Sequence, residues 1–202
     1  MTATIWLIAR HGNNFAPGDK PRLVGGRTDL PLSASGIMQA QRLGAYLRAQ
    51  GLLPDHIYVS GLRRTQETAH HALAAAGCAA PVTMRAFLNE IDYGLDENKS
   101  EDEASARIGA AALRAWQEAG AVPEGWLADP QAIRAGWRAF GAEILQTHAG
   151  KIILTVASNG IIRFLPYPGG DDAIKPKMPT GALAIVMHDG TSWQIKDWNI
   201  RP

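Results

Sequence analysis

Ile5-Trp6-Leu7-Ile8-Ala9-Arg10-His11-Gly12 is an apolar run that ends in a guanidinium, an imidazole and a glycine. Such a run reads as a buried strand, and its polar tip falls at the carboxyl edge of a sheet, where open α/β folds collect their ligands. An imidazole there can act as nucleophile or general base, while a neighbouring guanidinium neutralises an oxyanion that would otherwise repel attack. Phosphate is the anion that this pairing fits best. Alone, the tripeptide also accommodates a plainer reading, a histidine satisfied by backbone bonds in a turn, so the decision rests on what converges with it.

Further segments carry related chemistry. The short strand Ile57-Tyr58-Val59 runs into Ser60-Gly61-Leu62-Arg63-Arg64 and a helix, which puts Arg64 near a helix N-terminus that favours anions. Leu88-Asn89-Glu90-Ile91-Asp92-Tyr93-Gly94 sets two carboxylates in a stretch that reads as loop. One of them can serve as a general acid, with Asp92 in reserve and better suited to capping the loop. Ile152-Ile153-Leu154-Thr155-Val156-Ala157 is a second continuous apolar strand, ending in Ser158-Asn159-Gly160.

Between these junctions the elements alternate. The pattern predicts strand 4–9, a helix over 34–50 capped by Ser33 and stopped by Gly51, strand 56–59, a helix over 63–76 and a short strand at 82–84. Ser100-Glu101-Asp102-Glu103 is a capping box that opens a helix running to about 119, and Asp129-Pro130 opens another to about 148. Residues 182–187 and 192–199, joined through Asp189-Gly190, read as an antiparallel hairpin. The expected fold is α/β, a three-layer α/β/α sandwich with a mainly parallel, mixed central sheet, in a single domain over 1–202. Trp116, Trp126 and Trp137 read as core rather than as an aromatic binding surface. The Pro- and Gly-rich loop 166–172 is either a pocket flap or a connection.

Composition narrows the function classes. The chain has 202 residues, 46% of them hydrophobic, and a net charge of +1, which gives no global reason to bind nucleic acid or an anionic membrane. Its single cysteine, Cys78, excludes a disulfide framework within the chain and any multi-cysteine zinc site. No basic-then-apolar leader opens the sequence and no apolar run is long enough to suggest a span, so a soluble, cytoplasmic protein is expected. No metal and no cofactor are expected.

Taken in order, Arg10-His11-Gly12, Asp29-Leu30-Pro31-Leu32-Ser33, Gly36, Gln39 and Ala40, Ser60 to Ala69, Glu90 and Ser158-x-Gly160 make most of this chain resemble the histidine phosphatase superfamily, which includes cofactor-dependent phosphoglycerate mutases. The resemblance implies that His11 is the nucleophile that becomes phosphohistidine, that Arg10 and Arg64 grip the phosphoryl oxygens, and that Glu90 protonates the leaving oxygen. The demands of the reaction agree: an anionic ester with a poor alkoxide leaving group needs positive clamps, an uncharged nitrogen nucleophile and a proton donor.

The sequence departs from the family pattern in two places. The family carries a second histidine just before the late glycine, and here that position is Asn159, beside Gly160. An amide can donate to a phosphoryl oxygen but cannot carry charge or exchange a proton. None of His56, His70, His71, His148 and His188 obviously replaces it; each reads as structural or solvent-facing. After the nucleophile stand Asn13 and Asn14, for which phosphate binding and turn capping are both open. Lys20, Arg22 and Arg27 are available to meet a second anionic group, with solvated surface charge as the safer reading.

The expected activity is hydrolysis of a small phosphorylated metabolite by a metal-independent, histidine acid phosphatase-like enzyme. Chain length favours this over a phosphoglycerate-type mutase. The alternative is a protein that binds phosphate esters but turns them over poorly because of Asn159. Oligomeric state is open.

Overall fold

The computed structural model describes residues 3–167 and 174–202. The opening run forms β1 (Thr4–Arg10), which lies between β4 (Ile152–Ala157) and β5 (Leu183–His188). With β2 (His56–Val59), β3 (Val82–Met84) and β6 (Trp193–Ile200) these make a six-stranded sheet of order β3-β2-β4-β1-β5-β6. The β3-β2, β2-β4 and β4-β1 pairings are parallel, while β1-β5 and β5-β6 are antiparallel. The sheet is thus mixed and mostly parallel, as the sequence pattern predicts.

Strand alternation explains the layers. Trp6 and Ile8 point to one face of β1, Leu7 and Ala9 to the other, and all four are fully buried. Leu7 and Ala9 join Leu43 and Leu47 of α1 (Ala34–Ala49) and Ala69 and Ala72 of α2 (Arg63–Ala76). Trp6 and Ile8 join an aromatic core with Trp137, Phe140 and Ile144 of α5 (Pro130–Thr147). Trp116, Trp126 and Trp137 all lie in this core, and Trp6 donates its indole N–H to Thr155 Oγ1 at 2.8 Å, so the buried polar atoms of both partners are satisfied.

The helix expected over 100–119 is in fact two. Ser100 and Glu103 form the capping box of α3 (Glu101–Ile108), but Gly109 adopts φ 84° and α4 (Ala110–Ala119) starts afresh. A left-handed φ is cheap for glycine and ends a helix; in the sequence the residue reads equally as a tolerated interior glycine. The loop expected over 166–172 falls largely on residues 168–173, outside those described. Among the described residues no helix is long and apolar enough to cross a membrane.

Topology decides where the polar tips go. Because β1, β2 and β4 run parallel, Arg10-His11, Ser60 to Arg64 and Ser158-Asn159 all emerge at one edge, and the chain beyond β3 brings Glu90 to it. The antiparallel β5 begins at that same edge, where Gly181 N–H donates to the carbonyls of Arg10 and His11 at 3.2 and 3.1 Å.

Candidate active site

At this edge lies a cavity of about 480 Å³, ordinary in size for a small-molecule site. Arg10, His11, Asn13, Asn14, Glu90 and Asn159 all border it. Arg64 and Gly160, both read from the sequence as phosphate-binding, are buried and do not border it.

His11 sits on a backbone held very close to the start of α1. A side chain on Gly12 would put its Cβ 2.4 Å from Gly36 O, and one on Gly36 would come within 2.1 Å of Asn13 O, so both positions require glycine. Gly12 N–H also donates to Thr68 Oγ1 of α2 at 3.0 Å. The imidazole is only 6% exposed, with Nδ1 2.7 Å from Gly12 O. A carbonyl oxygen can only accept, so the proton of the neutral ring belongs on Nδ1 and Nε2 keeps its lone pair. Burial, then the charges of Arg64 and Arg10, hold the His11 pKa well below that of free histidine. The ring is therefore uncharged at neutral pH.

The two arginines are placed differently. Arg10 donates from Nη1 to Met178 O at 2.7 Å and borders the cavity. Arg64 is completely buried, giving Nη1 to Thr28 O and Nη2 to the carbonyls of Val24 and Gly25. Both Nε groups are buried with no hydrogen-bond partner among the described residues. Burial lowers both guanidinium pKa values, opposed in each case first by Glu90.

Glu90 accepts hydrogen bonds from Ile91 N–H at 2.9 Å through Oε1 and from Gly160 N–H at 3.2 Å through Oε2. A Cβ on residue 160 would fall 2.0 Å from Glu90 Oε1, which ties glycine at that position to the seating of the carboxyl. Despite the opposing pull of Arg64, the two N–H groups and Arg10, desolvation dominates and raises the Glu90 pKa. Glu90 thus keeps its proton to higher pH than an exposed glutamate.

Asn159 opens the helical turn α6 (Asn159–Ile162), and its Oδ1 accepts from Met178 N–H at 2.9 Å, which leaves the NH2 end to donate. The NH2 groups of Asn13 and Asn14 are already engaged, the first with Phe15 O and Ser35 Oγ, the second with the carbonyls of Leu30 and Pro31. Both side chains border the cavity while shaping its loop. Asp92 does not border it: its carboxylate takes Gly94 N–H at 2.7 Å and pairs with Arg27 at 2.8 Å. Lys20 pairs with Asp102 at 3.0 Å, and of the loop cations named from the sequence only Arg22 lines the cavity.

Sequence reasoning missed Tyr93, Arg163 and Lys177, which border the same cavity. Burial, reinforced by Glu90, raises the Tyr93 pKa well above that of free tyrosine and keeps its phenol protonated. Arg163 follows Asn159 by one helical turn, a spacing that in hindsight marks it as a neighbour of the β4 tip.

The family model described as histidine phosphatase superfamily (branch 1) matches residues 5–201. The chain is 31% identical over 191 residues to a 2,3-bisphosphoglycerate-dependent phosphoglycerate mutase of Leifsonia xyli subsp. xyli, covering 92% of this chain and 72% of that protein. The fold is similar to that of the alpha-ribazole phosphatase from Shigella flexneri, with TM-score 0.76 at 24% identity over 98% of this chain and 96% of that one. It is likewise similar to a phosphoglycerate mutase from Bacillus anthracis str. Sterne, with TM-score 0.80 at 19% identity over 98% and 93% of the two chains.

Proposed function

Since the chain belongs to the histidine phosphatase superfamily, we propose that it is a phosphomonoesterase that hydrolyses a small phosphorylated metabolite through a phosphohistidine on His11. One observation carries the reading: an uncharged imidazole with Nε2 free borders the same cavity as a carboxyl whose pKa is raised by burial. Attack on a phosphate monoester needs an uncharged nucleophile and a proton on the acid, and the two shifts run in those directions.

In the first step Nε2 of His11 forms a bond to phosphorus as the ester P–O bond breaks, and the Glu90 proton passes to the departing oxygen, releasing a neutral alcohol. In the second, water attacks the phosphohistidine, its proton goes to the Glu90 carboxylate, and inorganic phosphate leaves with the imidazole restored. Arg10 and the NH2 of Asn159 bind the phosphoryl oxygens. Arg64, which does not border the cavity, acts on the site through its positive charge alone. In this reading Asn13 and Asn14 line the loop over the phosphoryl group, and Gly160 acts on it through Glu90. Both steps proceed on the chain's own residues without a metal or cofactor, and the enzyme acts as one domain in the cytoplasm.

The mutase names of curated relatives favour a second reading, in which the phosphohistidine is discharged to a substrate hydroxyl rather than to water. The test is a metal-free screen of phosphorylated metabolites with His11→Ala as the blank. Release of inorganic phosphate well above the blank, surviving a chelator, is expected. Transfer to a second hydroxyl without phosphate release would establish the mutase reading. Binding of esters with no turnover above the blank would overturn both in favour of a phosphate-ester-binding protein.

A further inference from the structure

Arg163 has too few partners for the place it occupies. It is 4% exposed, yet among the described residues the only hydrogen bond of its guanidinium is from Nη2 to Gln117 O at 2.7 Å, and its Nε is buried with no partner. No carboxylate lies within ion-pair distance of it among those residues. Its guanidinium stacks on Trp116, 4.4 Å from the ring centroid, and the carbonyl of Gln117 belongs to the last turn of α4. Both contacts favour a cation modestly. A tether between α6 and α4 would need no more than these, and an apolar side chain would pack there without a buried charge. Arg163, Trp116 and Gln117 all border the cavity, which has room beyond a phosphoryl group.

We propose that Arg163 is a specificity residue that binds a second oxyanion, carboxylate or phosphate, on the leaving-group part of the substrate. The proposal rests on the phosphatase reading of the site. Arg10 and Arg64 belong to the phosphoryl end beside His11, whereas Arg163 stands against α4, where Leu113 and Trp116 supply an apolar wall. Exposed Lys177 and Arg22 border the cavity too, and can add to the attraction without setting its geometry. The favoured substrate is therefore a phosphate monoester whose alcohol part carries another anionic group.

The test measures equilibrium binding of three non-hydrolysable ligands: benzylphosphonate, its 3-carboxy derivative and the corresponding 3-phosphonomethyl derivative. Wild-type protein is expected to bind at least one of the doubly anionic ligands roughly 10- to 100-fold more tightly than benzylphosphonate, the range of a charge-assisted hydrogen bond. The preference should collapse toward unity in Arg163→Gln, fall partway in Arg163→Lys, and persist in Arg114→Gln on the exposed side of α4. A wild-type ratio near one overturns the proposal, as does a preference that survives in Arg163→Gln. If Arg163→Gln does not fold, Arg163→Lys decides: an undiminished ratio there shows that the planar fork reads nothing. Failure of wild-type protein to bind any of the three removes the phosphate site itself, and this inference with it.

Discussion

At the amino-terminal end of β2 and β4 the polar side chains are matched with one another; at the carboxyl-terminal end of these strands and of the parallel β1 several are not. At the first end Tyr58 OH meets His148 Nε2 at 2.9 Å and His56 Nε2 meets Thr83 Oγ1 at 2.9 Å. There Asp55 accepts Ile152 N–H at 2.9 Å and the more distant Lys151 ammonium, which together hold its pKa below that of a free aspartate. At the other end the Nε groups of Arg10, Arg64 and Arg163 are buried without partners among the described residues, next to a neutral histidine and a glutamate whose pKa is raised by burial. Buried polar groups left unpaired cost stability, so the imbalance identifies the end of the sheet that is completed by a ligand.

The contrast is broken most severely at Glu90. With an alkyl phosphate, Glu90→Gln is expected to lower kcat by roughly 10²- to 10⁴-fold, because the leaving alkoxide loses its proton source. With 4-nitrophenyl phosphate, whose leaving group departs as a stable anion, the loss should be far smaller. Equal losses on both substrates would remove Glu90 from the general-acid role. The same variant tests the sign of the pH dependence. The Glu90 pKa is raised, so its proton is lost as pH climbs through that elevated value, and wild-type kcat/KM should decline on the alkaline side. The His11 pKa is lowered, so the imidazole is already neutral there and sets no alkaline limb. In Glu90→Gln the alkaline decline should vanish.

Asn159 comes next. Loss of one preorganised oxyanion donor costs on the order of 10²- to 10³-fold in the strongest cases, and a neutral amide should fall short of that. Asn159→Ala is therefore expected to lower kcat by roughly 10- to 100-fold while changing KM less, as measured on any substrate that the screen identifies. Unchanged kinetics would take Asn159 out of the site.

The smallest effect belongs at the paired end. Tyr58→Phe deletes a hydrogen bond to His148 and should cost about 1 kcal/mol, a drop of roughly 2–4 °C in Tm for a chain of this size, with kcat and KM unaltered. A fall in kcat would mean that the two ends are coupled and would weaken the distinction drawn between them.

The legibility of this molecule in its sequence follows the same divide. Apolar strands, the Ser33 cap and the Ser100–Glu103 capping box are local signals, and the strands and helix starts they predict are present within a residue or two. The break at Gly109 was hidden because a glycine inside a helical pattern fits either outcome, and only the backbone angle decides. Residues at parallel strand ends, such as His11 and Asn159, were visible because topology sends every such tip to one edge. Tyr93 was not, because its arrival at the cavity depends on how the loop after β3 packs, which no spacing encodes, and for Arg163 the one-turn spacing from Asn159 is informative only once the helical turn after β4 is known. The sequence likewise offers no means of seeing that Arg64 is sealed behind the cavity by the carbonyls of Thr28, Val24 and Gly25.

The central claim is that His11 carries the phosphoryl group during turnover. Wild-type protein quenched with base in mid-turnover of a ³²P-labelled monoester should retain acid-labile label on the peptide that contains His11, and His11→Ala should retain none. Turnover above the His11→Ala blank with no label on His11, or equal labelling of the His11→Ala protein, would contradict the account.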